Sequence, residues 1–222
     1  MGGPEARPEV PGTMSKRVYL HIGWEKTGSS SIQAFCARNQ KWLHKHGVDY
    51  PLMGPIPQHV ELYRNLNKNR SSRIQKSVDA IRSEIAKSDL PNIVFSHESL
   101  HSCSPAVFRH IFDGHDVKVI AYVRRPDRAV ISFFVTMVRF GQLSAGNFFK
   151  SLRFFSRTNL GHFEYYWSLA GFAAEFGKEN MMVRHYDRST LVGGQTVSDF
   201  LDCLGLDDAG SKWSEARSNP SL

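Results

Sequence analysis

Four short runs rich in β-branched and aromatic residues, Lys16 to Ile22, Ile93 to Ser96, Val117 to Val123 and Met181 to Tyr186, are set far apart by stretches with helical spacing. Antiparallel strands can be joined by two residues, whereas parallel strands need a crossover of a dozen or more, normally through a helix. The alternation therefore predicts an α/β fold: a single three-layer α/β/α domain with a mainly parallel central sheet covered on both faces.

The intervening segments carry their own signals. Ser29 to His46 spaces Ile32, Phe35 or Cys36, and Leu43 as a helix does, with Gly47 as its stop. After a loop marked by Gly54, Pro55 and Pro57, Glu61 to Lys87 again shows helical spacing. Ser104 and Pro105 read as a cap and first turn, Asp127 to Phe140 as a helix, and Phe163 to Phe176 as another, stopped by Gly177. With 222 residues and 41% of them apolar, one core is expected, spanning 16–222. Met1 to Ser15, rich in Gly and Pro, reads as a disordered tail without the apolar stretch of a signal peptide. No later run approaches a membrane span, so a soluble, cytoplasmic protein is expected. Cys36, Cys103 and Cys203 fit neither a disulfide framework nor a zinc site and are expected as buried thiols.

Between the first strand and its helix lies Gly23-Trp24-Glu25-Lys26-Thr27-Gly28-Ser29-Ser30-Ser31. Glycine permits close backbone approach, and a helix N-terminus offers unpaired amides to an anion. Lys26 adds a point charge, and the hydroxyls of Thr27, Ser29, Ser30 and Ser31 can donate to the same oxygens. The alternative is a Ser-capped helix beside a solvated lysine. The order differs from a Walker A loop, in which the lysine follows the glycine; here Lys26 precedes Gly28, which disfavours ATP-dependent phosphoryl transfer.

A second cationic site follows the strand Val117 to Val123. Arg124, Arg125 and Pro126 stand at its end, and Ser132 lies on the helix beyond, where Arg124 and Ser132 can face one ligand. Ligands of parallel α/β sheets gather beyond the carboxyl ends of the strands, so Lys26 and Arg124 can clamp two separate phosphates. Otherwise Arg124 and Arg128 are surface partners of Asp127 or Glu98.

The strings His21-Ile22-Gly23-Trp24-Glu25-Lys26-Thr27-Gly28-Ser29-Ser30-Ser31-Ile32-Gln33 and Tyr122-Val123-Arg124-Arg125-Pro126, with Ser132 eight residues after Arg124, resemble the sulfotransferase family. Arg184-His185-Tyr186-Asp187 and Asp199-Phe200-Leu201 extend the resemblance toward bacterial-type and carbohydrate-sulfotransferase-like members. It implies a P-loop NTPase-like fold and, as co-substrate, 3′-phosphoadenosine 5′-phosphosulfate (PAPS), with 3′-phosphoadenosine 5′-phosphate (PAP) as product. Lys26 to Ser31 would bind the 5′-phosphosulfate, and Arg124 and Ser132 the 3′-phosphate. Members of this kind continue past a segment like Asn219-Pro220-Ser221-Leu222, which implies further C-terminal residues that help close the site.

Sulfuryl transfer needs a base for the acceptor proton and cationic donors for the charge on the departing phosphate. Lys26 suits the second task. For the first, Ser96-His97-Glu98 follows a strand, where cytosolic family members carry a catalytic histidine; His97 and Glu98 both qualify, and only one of two neighbours enters the cleft. His59 is a third candidate by the resemblance, and otherwise a surface histidine. His21 reads as a core or second-shell histidine. Phe148, Phe149, Phe154 and Phe155, with Tyr165, Tyr166 and Trp167, could line an acceptor pocket or lid, or belong to the core.

The expected acceptor is a small molecule, with a saccharide preferred, bearing a hydroxyl or amine. The proposed chemistry needs no metal. Three other readings stay open: a P-loop kinase-like nucleotide binder with magnesium, a nucleic-acid binder suggested by the formal charge of +7, and a module that binds PAP or PAPS without turnover. No helix-turn-helix or RNA-binding signature supports nucleic acid as partner. Subunit number is not legible.

Overall fold

The computed structural model describes residues 15–54, 56, 59–66, 71–141, 153 and 164–207. Phe148, Phe149, Phe154 and Phe155, most of the N-terminal tail and Asn219 to Leu222 lie outside the described residues.

Five parallel strands form one sheet in the order β2-β3-β1-β4-β5. They are β1 (Arg17–His21), β2 (Val48–Asp49), β3 (Asn92–Ser96), β4 (Asp116–Val123) and β5 (Met181–His185). The helices between them are α1 (Ser29–Arg38), α2 (Gln40–Lys45), α3 (Val60–Leu66), α4 (Ser71–Lys87), α5 (Pro105–Ile111), α6 (Pro126–Arg139), α7 (Tyr165–Phe176) and α8 (Thr196–Cys203). No helix among the described residues is long and apolar enough to cross a membrane.

Strand alternation divides the core. Val18, Leu20 and Ile22 of β1 and its loop, with Ile93, Phe95, Val117 and Val119, pack on Val78, Ile81 and Ile85 of α4, Phe108 of α5 and Phe172 of α7. Tyr19, Val94, Ile120 and Tyr122 face the other way, onto Ile32 and Phe35 of α1, Leu43 of α2 and Phe200 of α8. Both faces of the sheet are thus sealed, which explains why its central strands are apolar runs without polar alternation.

All four anticipated strands are present within a residue or two. The expected helix Ser29 to His46 is two helices, because Asn39 leaves helical geometry at φ −112°, ψ 27°. The expected helix Glu61 to Lys87 is likewise divided between α3 and α4. The edge strand β2 is only two residues long, too short to generate a pattern. Cys36, Cys103 and Cys203 are buried and free.

β1 is central. The chain passes out to β2, returns through β3 beside β1, and crosses to β4 on the other side. The crossing places the loops after β1, β3 and β4 together at one edge, the position where open α/β sheets bind ligands.

Candidate active site

The loop after β1 is shaped by its backbone. Gly23 has φ +45°, and a Cβ there would lie 2.9 Å from both the Glu98 Cα and the Ser29 Oγ. Gly28 has φ +83° and stands at the N-cap of α1; a Cβ there would lie 2.8 Å from Thr196 and 2.9 Å from Tyr186. Lys26, at φ +66°, is the one non-glycine residue among those described in the left-handed region, a strain of about 1–3 kcal/mol that the surrounding structure must support.

Part of that support comes from hydroxyls. Thr27 Oγ1 donates to the Trp24 carbonyl at 2.6 Å and Ser29 Oγ to the same oxygen at 3.3 Å. Both residues are buried, so their hydroxyl protons hold the loop together instead of facing outward as expected. Ser30 is exposed and Ser31 half-buried. No side chain caps α1 and no acid lies in its first turn, leaving the positive end of the helix dipole uncompensated there.

Arg124 joins the second motif to the first. Its guanidinium donates to the Lys26 carbonyl at 3.2 Å and lies over the Tyr186 ring at 5.6 Å from the centroid. It is therefore not a surface partner of Asp127; Arg125 takes that role, with bonds of 3.2 and 3.0 Å to the two carboxylate oxygens. Arg128 is exposed, and Ser132 is half-buried on α6. Burial, reinforced by Arg124 and Arg139, holds the Lys26 ammonium below its usual range. Three cations thus gather where an anion would relieve their repulsion.

Beyond β3 the chemistry changes. His97 is buried and stacks on Tyr63 at 5.1 Å, and its Nδ1 accepts the Ser99 backbone N–H at 3.1 Å. The acceptor lone pair of the neutral ring is therefore already engaged, and burial pulls its pKa down to about 4. Glu98 sits against Gly23, in contact with the loop after β1. Burial, then the neighbouring Glu25 charge, raises its pKa, while a hydrogen bond from the Gln33 side chain works the other way. Its Oε2 is buried and has no hydrogen-bond partner.

Glu25 links the loop to this segment. One oxygen accepts from Ser99 Oγ at 3.3 Å and the other lies 3.8 Å from His101 Nε2. His101 stacks on Trp24 at 4.4 Å, and Tyr165 meets the same indole edge-on at 4.9 Å. Tyr166 and Trp167 are largely exposed and do not join the core.

His59 is fully buried, so the expectation of a surface histidine fails. Nε2–H donates to the Pro51 carbonyl at 2.7 Å and Nδ1 accepts the Ser96 N–H at 2.8 Å, so both nitrogens serve the fold. His21 is a core histidine, bonded through Nδ1 to Ser96 Oγ at 2.7 Å. Sequence reasoning passed over Glu25 and Gln33. Gln33 had one legible signal, a polar residue on the helix face that also carries Ile32 and Cys36; Glu25 had only its place between two glycines.

A glycine-bearing loop on a central parallel strand, an arginine reaching it from the next strand and helices on both faces make a P-loop-like α/β fold. Among solved structures, the chain is similar to a sulfotransferase from Alicyclobacillus acidocaldarius, with a TM-score of 0.54 and 14% identity over 93% of this chain and 87% of that one. A sulfotransferase domain from the curacin biosynthetic pathway aligns with a TM-score of 0.44 and 13% identity over 88% of this chain and 75% of that one. No family model matches. An uncharacterized protein of Archaeoglobus fulgidus is 29% identical over 115 residues, 52% of this chain. The match spans only 30% of the length of that curated relative.

Proposed function

We propose that this chain binds PAPS and transfers its sulfuryl group to an acceptor hydroxyl or amine. The observation that carries this reading is the 3.2 Å bond from Arg124 to the Lys26 carbonyl, which makes one cationic cleft of two motifs 98 residues apart. The residues suit the nucleotide: Gly23 and Gly28, packed so closely on Glu98, Ser29, Thr196 and Tyr186 that no Cβ fits, set the turn of the loop, and the α1 N-terminus and Lys26 bring positive charge to it.

The bound nucleotide supplies the sulfuryl group and departs as PAP. Lys26 and the first amides of α1 hold the 5′-phosphosulfate and stabilise the charge that develops on the leaving phosphate oxygen. Ser29, Ser30 and Ser31 line that end, and Thr27 keeps the loop in shape. Arg124 and Ser132 hold the 3′-phosphate.

Glu98 is the base. Its carboxylate takes the acceptor proton as the acceptor oxygen or nitrogen bonds to sulfur and the bond from sulfur to the phosphate oxygen breaks. A carboxyl held above its ordinary range by burial and Glu25 is better matched to that proton than a solvated one. His97, its acceptor nitrogen engaged by Ser99, holds the turn that presents Glu98. The acceptor is a small molecule, for which a saccharide hydroxyl is the preferred class.

Calorimetric titration with PAP, and separately with ATP and magnesium, tests the reading. PAP should bind without metal and in preference to ATP, and Lys26→Ala and Arg124→Ala should both weaken it. Preference for ATP with magnesium would overturn the assignment in favour of a kinase-like protein.

A further inference from the structure

An acid stands inside the cationic loop. Glu25 lies between Trp24 and Lys26, one residue from the ammonium proposed to meet the phosphosulfate, where a carboxylate turned toward the ligand would repel it. It is turned elsewhere. Ser99 Oγ donates to one of its oxygens at 3.3 Å, and the other oxygen lies 3.8 Å from His101 Nε2. With 21% of its side chain exposed, Glu25 is drawn in against the segment after β3.

Both residues that hold this carboxylate are themselves fixed. Ser99 gives its backbone N–H to His97 Nδ1 at 3.1 Å, so one residue braces the turn that presents Glu98 and, through its hydroxyl, the turn that presents Lys26. His101 stacks on Trp24 with ring centroids 4.4 Å apart, its N–H donates to the Ile22 carbonyl at 3.2 Å, and its carbonyl accepts from Ser168 Oγ of α7 at 2.7 Å. Lys26 needs such a brace, because its φ of +66° is one that a residue with a Cβ seldom adopts unless its surroundings impose it. Arg124 ties the Lys26 carbonyl, and Thr27 and Ser29 tie the Trp24 carbonyl. Between these two peptide groups, the Glu25 carboxylate adds a tie that runs across to the segment carrying Glu98.

We infer that Glu25 is a positioning residue for Lys26: anchored by Ser99 and His101, it holds the left-handed turn that presents the ammonium and keeps its own negative charge away from the bound anion. Its bearing on sulfuryl transfer rests on the reading of Lys26 as a ligand of the phosphosulfate. Its physical core, the hold of the Glu25 side chain on the Lys26 backbone, can be measured with no nucleotide present.

The test compares the unmodified protein with Glu25→Ala and Ser99→Ala, which each remove the 3.3 Å bond, and with Glu25→Gln, which keeps an oxygen able to accept it. Ser99→Ala also leaves its backbone N–H on His97. The amide-to-Hα NMR coupling and carbon shifts of Lys26 report its φ, which should relax toward negative values in both alanine variants and stay positive in Glu25→Gln. Calorimetry with PAP should show affinity about tenfold weaker in Glu25→Ala and largely restored in Glu25→Gln. The double variant Glu25→Ala, Ser99→Ala should lose little more than Glu25→Ala alone, because both changes remove the same interaction. A Lys26 φ unmoved in whichever alanine variant folds, or losses of PAP affinity that simply add in the double variant, overturns the inference. Failure of the unmodified protein to bind PAP would instead strike the sulfotransferase reading and leave the positioning role to be decided by the Lys26 couplings alone.

Discussion

The loops after β1 and β3 touch at Gly23 and Glu98 yet are built for opposite tasks. The first is positive and made by backbone shape: two glycines and Lys26 at positive φ, hydroxyls folded inward onto the Trp24 carbonyl, and Arg124 bonded to its rim. The second is made by side-chain environment. There burial keeps His97 neutral, and burial together with the Glu25 charge opposes the ionisation of Glu98. In the proposed reading an anion is received where chain geometry cannot easily change, and a proton where a few neighbours set the affinity. The two halves should therefore respond differently to substitution.

The sharpest separation is expected from Glu98→Gln. Loss of a general base costs about 10²–10⁴-fold in rate, so kcat should collapse by that order while calorimetry shows PAP binding intact. A parallel loss of PAP affinity would mean that the two loops are one functional unit. Lys26→Ala should lower kcat by about 10²–10³-fold and also weaken PAP, because the ammonium serves both ground state and transition state. Arg124→Ala should weaken PAP by about ten- to a hundredfold with a smaller change in kcat, the signature of a group that grips the nucleotide away from the reacting bond.

The same contrast explains what the sequence disclosed. That Lys26 and Arg124 would come together was legible, because one stands beside a glycine after a strand and the other at a strand end, which a linear string records. Which of His97 and Glu98 lies against the loop after β1 was not, because it depends on Ser99 taking the imidazole nitrogen and Gly23 admitting Glu98. The burial of His59 was hidden for the same reason: its partners, Pro51 and Ser96, are 8 and 37 residues away. Gln33 meets Ser96 only once α1 is laid across β3. In the fold, the alternating apolar runs identified the strands, whereas the break at Asn39 and the two-residue β2 leave no periodic trace.

Acid sensitivity follows from the histidines. Unfolded, each imidazole takes up a proton near pH 6.5. Folded, His59 and His97 stay neutral to about pH 4 and His21 to about 3, because burial penalises the charged ring. Between these limits the unfolded chain binds more protons, so stability is complete above about pH 6.5 and falls as pH drops toward 4. Glu98, raised, works the other way, but it is one group against four, since His115 is lowered as well. Urea unfolding at pH 7.5 and pH 5 should show a loss of several kcal/mol, of the order that two or more such shifts supply. A flat profile would mean the rings are not held neutral.

The smallest effect is the most discriminating. His97→Asn removes the imidazole but keeps a side-chain oxygen that can still take the Ser99 N–H, so the turn presenting Glu98 should survive. If His97 only holds that turn, transfer should stay within about fivefold of the unmodified rate, far from the loss that follows removal of a general base. If kcat instead falls as far as in Glu98→Gln, with PAP affinity unchanged, the ring must release Ser99 and turn its Nδ1 to the acceptor during turnover. The β3 loop would then hold two proton-handling groups, and the division between a rigid anion site and an adjustable proton site would run through His97 itself.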